Sequence, residues 1–343
     1  MRDLSIIIPA RNEQFLSRTI EDILSNIEGD TEVIALCDGY WPKPGVKDDP
    51  RVTLIHHTQA LGQRQSTNEG VRLSTAKFVM KCDAHCAFDK GFDIKLMSNC
   101  EKDWTVVPSM KRLHVYDMVC QECGNRMYQD KGGVCDKCGS KNTKQKMVWG
   151  NRRGKAVDYM WFDTEFKFSY FDNNYLRPYG PDAKKKYHHK HRDWAEEKIT
   201  DQMVCIGACW MMHRERYWEI GGMDEGHGSW GQMGVELACK SWLSGGRQVV
   251  NKDTWFSHLF RTTKKLGFPY PLSSKEKNQA RKYSQNIWTN NLWDKAVHPL
   301  SWMIEKFAPL PGWDEIQKAD FKIIKIGHFG SSLHYILRLG MAV

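Results

Sequence analysis

The opening eighty residues alternate short, unbroken apolar runs with stretches of helical spacing, and that alternation leaves few folds open. Residues 4–8 (LSIII) run apolar into Pro9, as a strand buried on both faces does. Residues 12–27 place Phe15, Leu16, Ile20, Ile23, Leu24 and Ile27 on one helical stripe. Residues 33–36 read as a strand ending in the turn Cys37-Asp38-Gly39, and residues 52–55 as another. Residues 65–73 read as a helix, and residues 77–81 as a strand running into Asp83. Strand–helix–strand repeats of this kind close as right-handed crossovers on a parallel sheet. Ligands of such sheets sit at the carboxyl ends of the strands, where Asp38 and Asp83 both fall.

Further along, residues 106–108 read as a strand, and a cysteine-bearing segment then interrupts the pattern. It resumes beyond Trp149 with a strand-like stretch at 162–170, a buried strand or helix at 204–212, a helix at 236–243 and a strand at 248–250. Residues 273–306 read as helical with breaks, and residues 321–343 as an amphipathic cap on the core. At 343 residues the chain has room for two domains, or one large one with an insertion. We expect an α/β chain in four parts: residues 1–118, an inserted ribbon at 119–148, residues 149–268, and a helical extension at 269–343. No apolar run approaches the roughly 18 residues of a membrane span, and residues 1–13 lack a signal-peptide pattern.

The interrupting segment carries the strongest metal signal in the sequence. Cys120-Gln121-Glu122-Cys123-Gly124 and Cys135-Asp136-Lys137-Cys138-Gly139 are two Cys-x-x-Cys-Gly knuckles. Each turn aims two thiolates at one point, and four thiolates close a tetrahedral Zn2+ site with no open position, hence a structural one. The other seven cysteines are scattered and odd in number, which fits reduced thiols and a cytoplasmic setting. Residues 111–155 hold eleven Lys/Arg against four Asp/Glu, a net +7 within a chain of formal charge +9. Such a patch favours a polyanionic partner. A second basic run lies at 184–192.

Asp83-Ala84-His85 follows a buried strand with a carboxylate and an imidazole two residues apart, facing the same way along an extended chain. That donor pair suits Mn2+ among several divalent ions. Its companions occur in order: SIIIPARNE at 5–13, Asp38, LGQRQSTNEG at 61–70, IGGMDE at 220–225, GSWG at 228–231, Val235-Glu236, and SHLFR at 257–261. Together they resemble nucleotide-sugar glycosyltransferases of the GT-A fold, and in particular the catalytic domain of polypeptide N-acetylgalactosaminyltransferases and their bacterial and viral relatives.

The resemblance implies a GT-A fold, a Rossmann-like and mostly parallel sheet flanked by helices, and a UDP-sugar donor. By it, Asp83, His85 and His258 would hold Mn2+ or Mg2+. Pro9, Arg11, Glu13 and Asp38 would line the nucleoside pocket, and Arg64 and Arg261 would neutralise the diphosphate. Asp83, Asp224, Trp230 and Glu236 would be the catalytic set. The chain departs from the family after Trp230, where Met233 takes the first acidic position and only Glu236 matches the second. That departure points to a retaining, front-face reaction, with Asp224 or Glu236 the remaining candidate bases. For the acceptor, the basic ribbon points to DNA carrying hydroxymethylated bases, as in phage genomes. A polysaccharide or lipid-linked glycan and a protein are the alternatives, and a non-catalytic zinc-ribbon DNA-binding protein is the reading from another class. Trp149, Trp161 and Trp194 are candidates to stack a base, with core packing the commoner role of a Trp.

Overall fold

In a computed structural model the described residues are 2–130, 132–152, 156–171, 176–187, 196–261 and 267–313, together with the strand pair 324–325 and 335–336. The strands are β1 (Leu4–Ala10), β2 (Thr31–Asp38), β3 (Val52–His57), β4 (Phe78–Cys82), β5 (Cys86–Phe88), β6 (Trp104–Cys120), β7 (Arg126–Tyr128), β8 (Thr143–Asn151), β9 (Met160–Phe162), β10 (Phe168–Tyr170), β11 (Ile199–Asp201), β12 (Cys209–His213) and β13 (Arg247–His258). The helices are α1 (Leu16–Asn26), α2 (Gln63–Leu73), α3 (Phe92–Met97), α4 (Ala183–Lys186), α5 (Arg214–Glu219), α6 (Met233–Leu243), α7 (Ser274–Thr289) and α8 (Leu300–Phe307).

One sheet organises the molecule, in the order β11-β13-β6-β12-β4-β1-β2-β3. The edge β4-β1-β2-β3 is parallel throughout, as the opening alternation predicts. Ile6, Ile7 and Ile8 of β1 are fully buried, with side chains in the apolar layers on the two faces of the sheet. Each contributes roughly 1.5–3 kcal/mol of burial. Helix α2 presses so closely on β1 that a Cβ at Gly70 would sit 2.4 Å from Ile7 Cγ2. A mid-helix glycine costs about 1 kcal/mol relative to Ala, and the close approach offsets it.

Strand β12 enters antiparallel between β4 and β6, and β6 continues parallel to β13. Two expectations change here. The strand expected at 106–108 is seventeen residues long, because its first half pairs with β13 and its second half with β7 and β8. Residue 118 lies inside this strand, whose outer half pairs with β7 and β8 to form the ribbon. The stretch at 162–170 is a hairpin of β9 and β10, turned at 163–167 where Phe166 takes φ 59°. The basic run at 184–192 lies beyond the described residues from 188 onward, as does nearly all of the expected cap at 321–343.

Candidate active site

Strand pairing brings the three expected metal ligands together. β5 runs antiparallel to β13 with His258 opposite Cys86, which sets His258 beside His85. Asp83 leaves the end of β4, its amide held by the Ala208 carbonyl at 2.8 Å. His258 Nε2 lies 3.1 Å from Asp83 Oδ2 and 3.1 Å from His85 Nε2, with His85 Nε2 3.9 Å from Asp83 Oδ2. Burial opposes ionisation of Asp83, but the Lys81 ammonium and the two imidazoles outweigh it and hold the carboxyl below its usual range. Burial pushes His258 down to about 4, against the pull of Asp83, so its ring is neutral at neutral pH. A carboxylate oxygen and two imidazole nitrogens facing one another at this range fit a divalent cation. His258 Nδ1 is buried with no partner.

Behind the triad stands a set of residues that orient it. Glu13 Oε2 lies 2.9 Å from His85 Nδ1 and fixes the tautomer that leaves Nε2 free to ligate. Arg261 pairs with Glu13. Lys81, fully buried, donates to Asp83 Oδ1 and to the Gly207 carbonyl at 2.9 Å. Gln63 Nε2 reaches the same Oδ1 at 3.2 Å. Neither Lys81 nor Gln63 is among the expected site residues; a lysine inside the apolar run FVMKC was the signal for the first.

The triad opens on a cavity of about 500 Å3, within the usual range for ligand pockets. Pro9, Arg11, Glu13, Asp38, Trp230 and Arg261 line it. Asp38 is nearly buried, and its oxygens accept from the amides of Leu61 (2.6 Å) and Gly62 (3.0 Å), pinning the loop beside the cavity. Gly62 adopts φ +97°, and a Cβ there would meet Ser229 Cα at 2.7 Å. Met233, in the first acidic position of the related motif, also lines the cavity. Helix α7 and the segment before it contribute Tyr270, Lys277 and Arg281, so the expected extension is part of this wall.

Three expected residues stand elsewhere. Arg64 is buried, its guanidinium spent on Glu236 (2.8 Å), Gly228 O (3.3 Å) and Gly231 O (2.6 Å). It does not line the cavity; it clamps the loop that carries Trp230. Glu236 is fully buried between Arg64 and Lys240 and accepts from the Asp224 amide. Burial resists its charge, yet Lys240 and Arg64 bring it down to about 2. Asp224 accepts from Gly226 N and the Tyr283 hydroxyl at 2.9 and 3.0 Å. Neither acid lines the cavity. Trp149 and Trp161 are core residues, the former donating to Asp22 at 3.0 Å; Trp194 lies outside the described residues.

In the ribbon, Cys120, Cys123, Cys135 and Cys138 converge. Each knuckle closes alike, Gly124 N on Cys120 O at 3.0 Å and Gly139 N on Cys135 O at 2.9 Å. The sulfurs of Cys120 and Cys138 lie 3.6 Å apart, and those of Cys123 and Cys135 3.7 Å. Those spacings are far from a disulfide's ~2.05 Å and close to the ~3.8 Å edge of a tetrahedron with ~2.3 Å Zn–S bonds. The Cys138 and Lys137 amides lower the Cys135 thiol to about 6.

The sequence pattern described as glycosyl transferase family 2 matches residues 5–119. Two Drosophila melanogaster proteins, putative polypeptide N-acetylgalactosaminyltransferases 9 and 13, are 24% and 22% identical over 80% and 81% of this chain. The matches cover 38% and 45% of their lengths, so the chain spans less than half of these curated relatives. A crystal structure of GalNAc-T7 with UDP, GalNAc and Mn2+ superposes with a TM-score of 0.54 at 15% identity, over 83% of this chain and 48% of that one. Among the described residues no helix is long and apolar enough to cross a membrane. The chain thus has the GT-A fold seen in that structure, and its residues 5–119 carry the glycosyl transferase family 2 pattern.

Proposed function

We propose that the protein transfers a sugar from a UDP-sugar to an acceptor hydroxyl. The observation that carries this reading is the convergence of Asp83, His85 and His258 on a cavity at the carboxyl end of β4. Mn2+ or Mg2+ held there would offset the charge that builds on the diphosphate as the sugar departs. Glu13 holds the tautomer of His85, while Lys81 and Gln63 hold one oxygen of Asp83 and leave the other to the ion. Arg11 and Arg261 add fixed positive charge on the cavity wall.

We infer retention of anomeric configuration. Among the described residues lining the cavity the carboxylates are Glu13, Asp38 and Asp83, and each is already engaged. A front-face reaction needs no further base: the acceptor's proton passes to the departing phosphate as the new glycosidic bond forms. The four-cysteine ribbon holds a structural Zn2+ in this reading, and the protein works where thiols stay reduced, in a cytoplasm.

For the acceptor we propose a hydroxymethylated base in DNA. The net +7 of residues 111–155 supports a polyanion. Phe168, Tyr170, Trp230, Phe268 and Tyr270 on the cavity wall suit a flat base flipped from its duplex. The test incubates the protein with Mn2+, a panel of UDP-sugars, and DNA containing hydroxymethylcytosine or hydroxymethyluracil, then weighs the digested nucleosides. A hexose or N-acetylhexosamine increment supports the reading. Hydrolysis of a UDP-sugar with no increment keeps the transferase and moves the acceptor to a glycan or protein. If wild type and Asp83→Ala are equally inert on every donor, the enzyme reading fails and a DNA-binding scaffold takes its place.

A further inference from the structure

Strand register sorts the ribbon's charge onto one face. β6 lies between β8 and β7, and residues opposite one another in a sheet share a face. Val119 is flanked by Lys144 and Arg126, and Asp117 by Lys146 and Tyr128. The alternate row is Gln145, Met118 and Met127, whose methionines are buried. The first face is therefore the outward one, and Lys144, Lys146, Arg126 and Tyr128 are all exposed on it. Its acid, Asp117, is buried and spent on His114 (2.7 Å) and Arg126 (2.7 Å). Arg152 joins this face, its guanidinium 4.5 Å from the centre of the Tyr128 ring.

The cations continue toward the cavity. Arg152 N bonds the Arg112 carbonyl at 2.8 Å, and the Arg112 guanidinium lies 5.6 Å from the centre of the Phe260 ring. Phe260 and Arg261 line the cavity. A row of positive side chains thus leads from the ribbon's outer face to the mouth of the candidate active site.

We infer that this face is a DNA-binding surface, gripping the phosphate backbone through Lys144, Lys146 and Arg152 with Tyr128 between them. The inference rests on the DNA-acceptor reading and names the place where the duplex is held. A chain of regularly spaced anions matches a row of cations with no free carboxylate among them, and contacts to phosphate carry no sequence preference.

The test measures binding of the full chain to a short labelled duplex without modified bases, over a series of salt concentrations. Lys144→Glu with Lys146→Glu should weaken binding about tenfold or more and reduce the slope of log affinity against log salt by about two. Lys43→Glu with Lys102→Glu makes the same change in net charge on exposed residues outside the cavity, and should leave affinity within about twofold. Mn2+-dependent hydrolysis of the UDP-sugar should be unchanged in both. Equal weakening by the two pairs would reduce the effect to net charge and overturn the surface. Unchanged binding in the ribbon pair would overturn it too, while leaving the DNA acceptor standing. Binding of an acidic polysaccharide but no duplex would overturn the assignment to DNA. Selective loss of DNA binding without sugar transfer to any DNA would keep the surface and sink the acceptor reading instead.

Discussion

A lysine ammonium sealed from water needs acceptors, and Lys81 finds them in Asp83 and the Gly207 carbonyl. Its charge competes with any cation for the same carboxylate. Lys81→Met should therefore tighten Mn2+ binding several-fold in calorimetry while lowering turnover, because Asp83 loses the partner that orients it. Weaker Mn2+ binding would show that Lys81 builds the site rather than opposing the ion. Glu13→Gln removes the carboxylate behind His85 and should cost roughly 10–100-fold in Mn2+ affinity, read the same way. At this scale the sequence was partly legible. Asp83 and His85 stand two apart and announce themselves, whereas Glu13 reaches His85 across 72 positions and Arg64 reaches Glu236 across 172. Nothing beside Gly62-Gln63-Arg64 says that the arginine turns inward.

Among the elements, α6 and the ribbon make opposite demands on pH and metal. Glu236 in α6 is held down at about 2 from an ordinary 4.5. The stability it adds is complete above 4.5 and is lost as pH falls toward 2. His227, 3.7 Å from Glu236 Oε2, is pushed down to about 4 by burial, so the unfolded chain takes up its proton first and stability falls from about pH 6.5 downward. Acid titration followed by circular dichroism should show loss of structure beginning below about pH 6.5. Glu236→Gln should flatten its lower part at the cost of a lower starting stability, since Arg64 would keep its burial and lose its counter-charge. A profile unchanged by the substitution would assign the acid loss to other groups. With the proposed Zn2+ in the ribbon, a chelator should unfold residues around 119–142, seen as protease cleavage there with the rest intact; a cleavage pattern unchanged by chelation would remove the metal from the ribbon. Its knuckles were readable because a short repeated spacing fixes their chemistry. The length of β6 was not, because its outer half, LHVYDMVC, holds neither a clean alternation nor an unbroken apolar run, and its partners are set by pairing further along the chain.

At the scale of the molecule, the parallel half was legible because buried strands read as unbroken apolar runs between helical stretches. The wall of the cavity was not. It is assembled from the 9–13 turn, the β9–β10 hairpin, the loop clamped by Arg64 and helix α7, which meet only in the folded chain. Tyr283 of α7 bonds Asp224 and ties that helix to the loop carrying Trp230. Tyr283→Phe should raise the KM for the acceptor more than for the UDP-sugar in steady-state kinetics; a larger rise for the UDP-sugar would place α7 on the donor side.

The seventeen unbroken residues of β6 run roughly 55 Å from the sheet into the ribbon. The pairing register shifts once at 114–116, where the sheet half passes into the ribbon half, yet the strand itself continues, so a polymer gripped by the ribbon in the proposed reading is held at a set distance from Asp83. Adding two residues to β6 and two to β8 at the ribbon's root would keep every side chain on its face and move the grip outward by roughly 7 Å. If the proposed DNA acceptor is right, such a lengthened protein should bind the duplex as firmly as before and modify it at a displaced position or not at all.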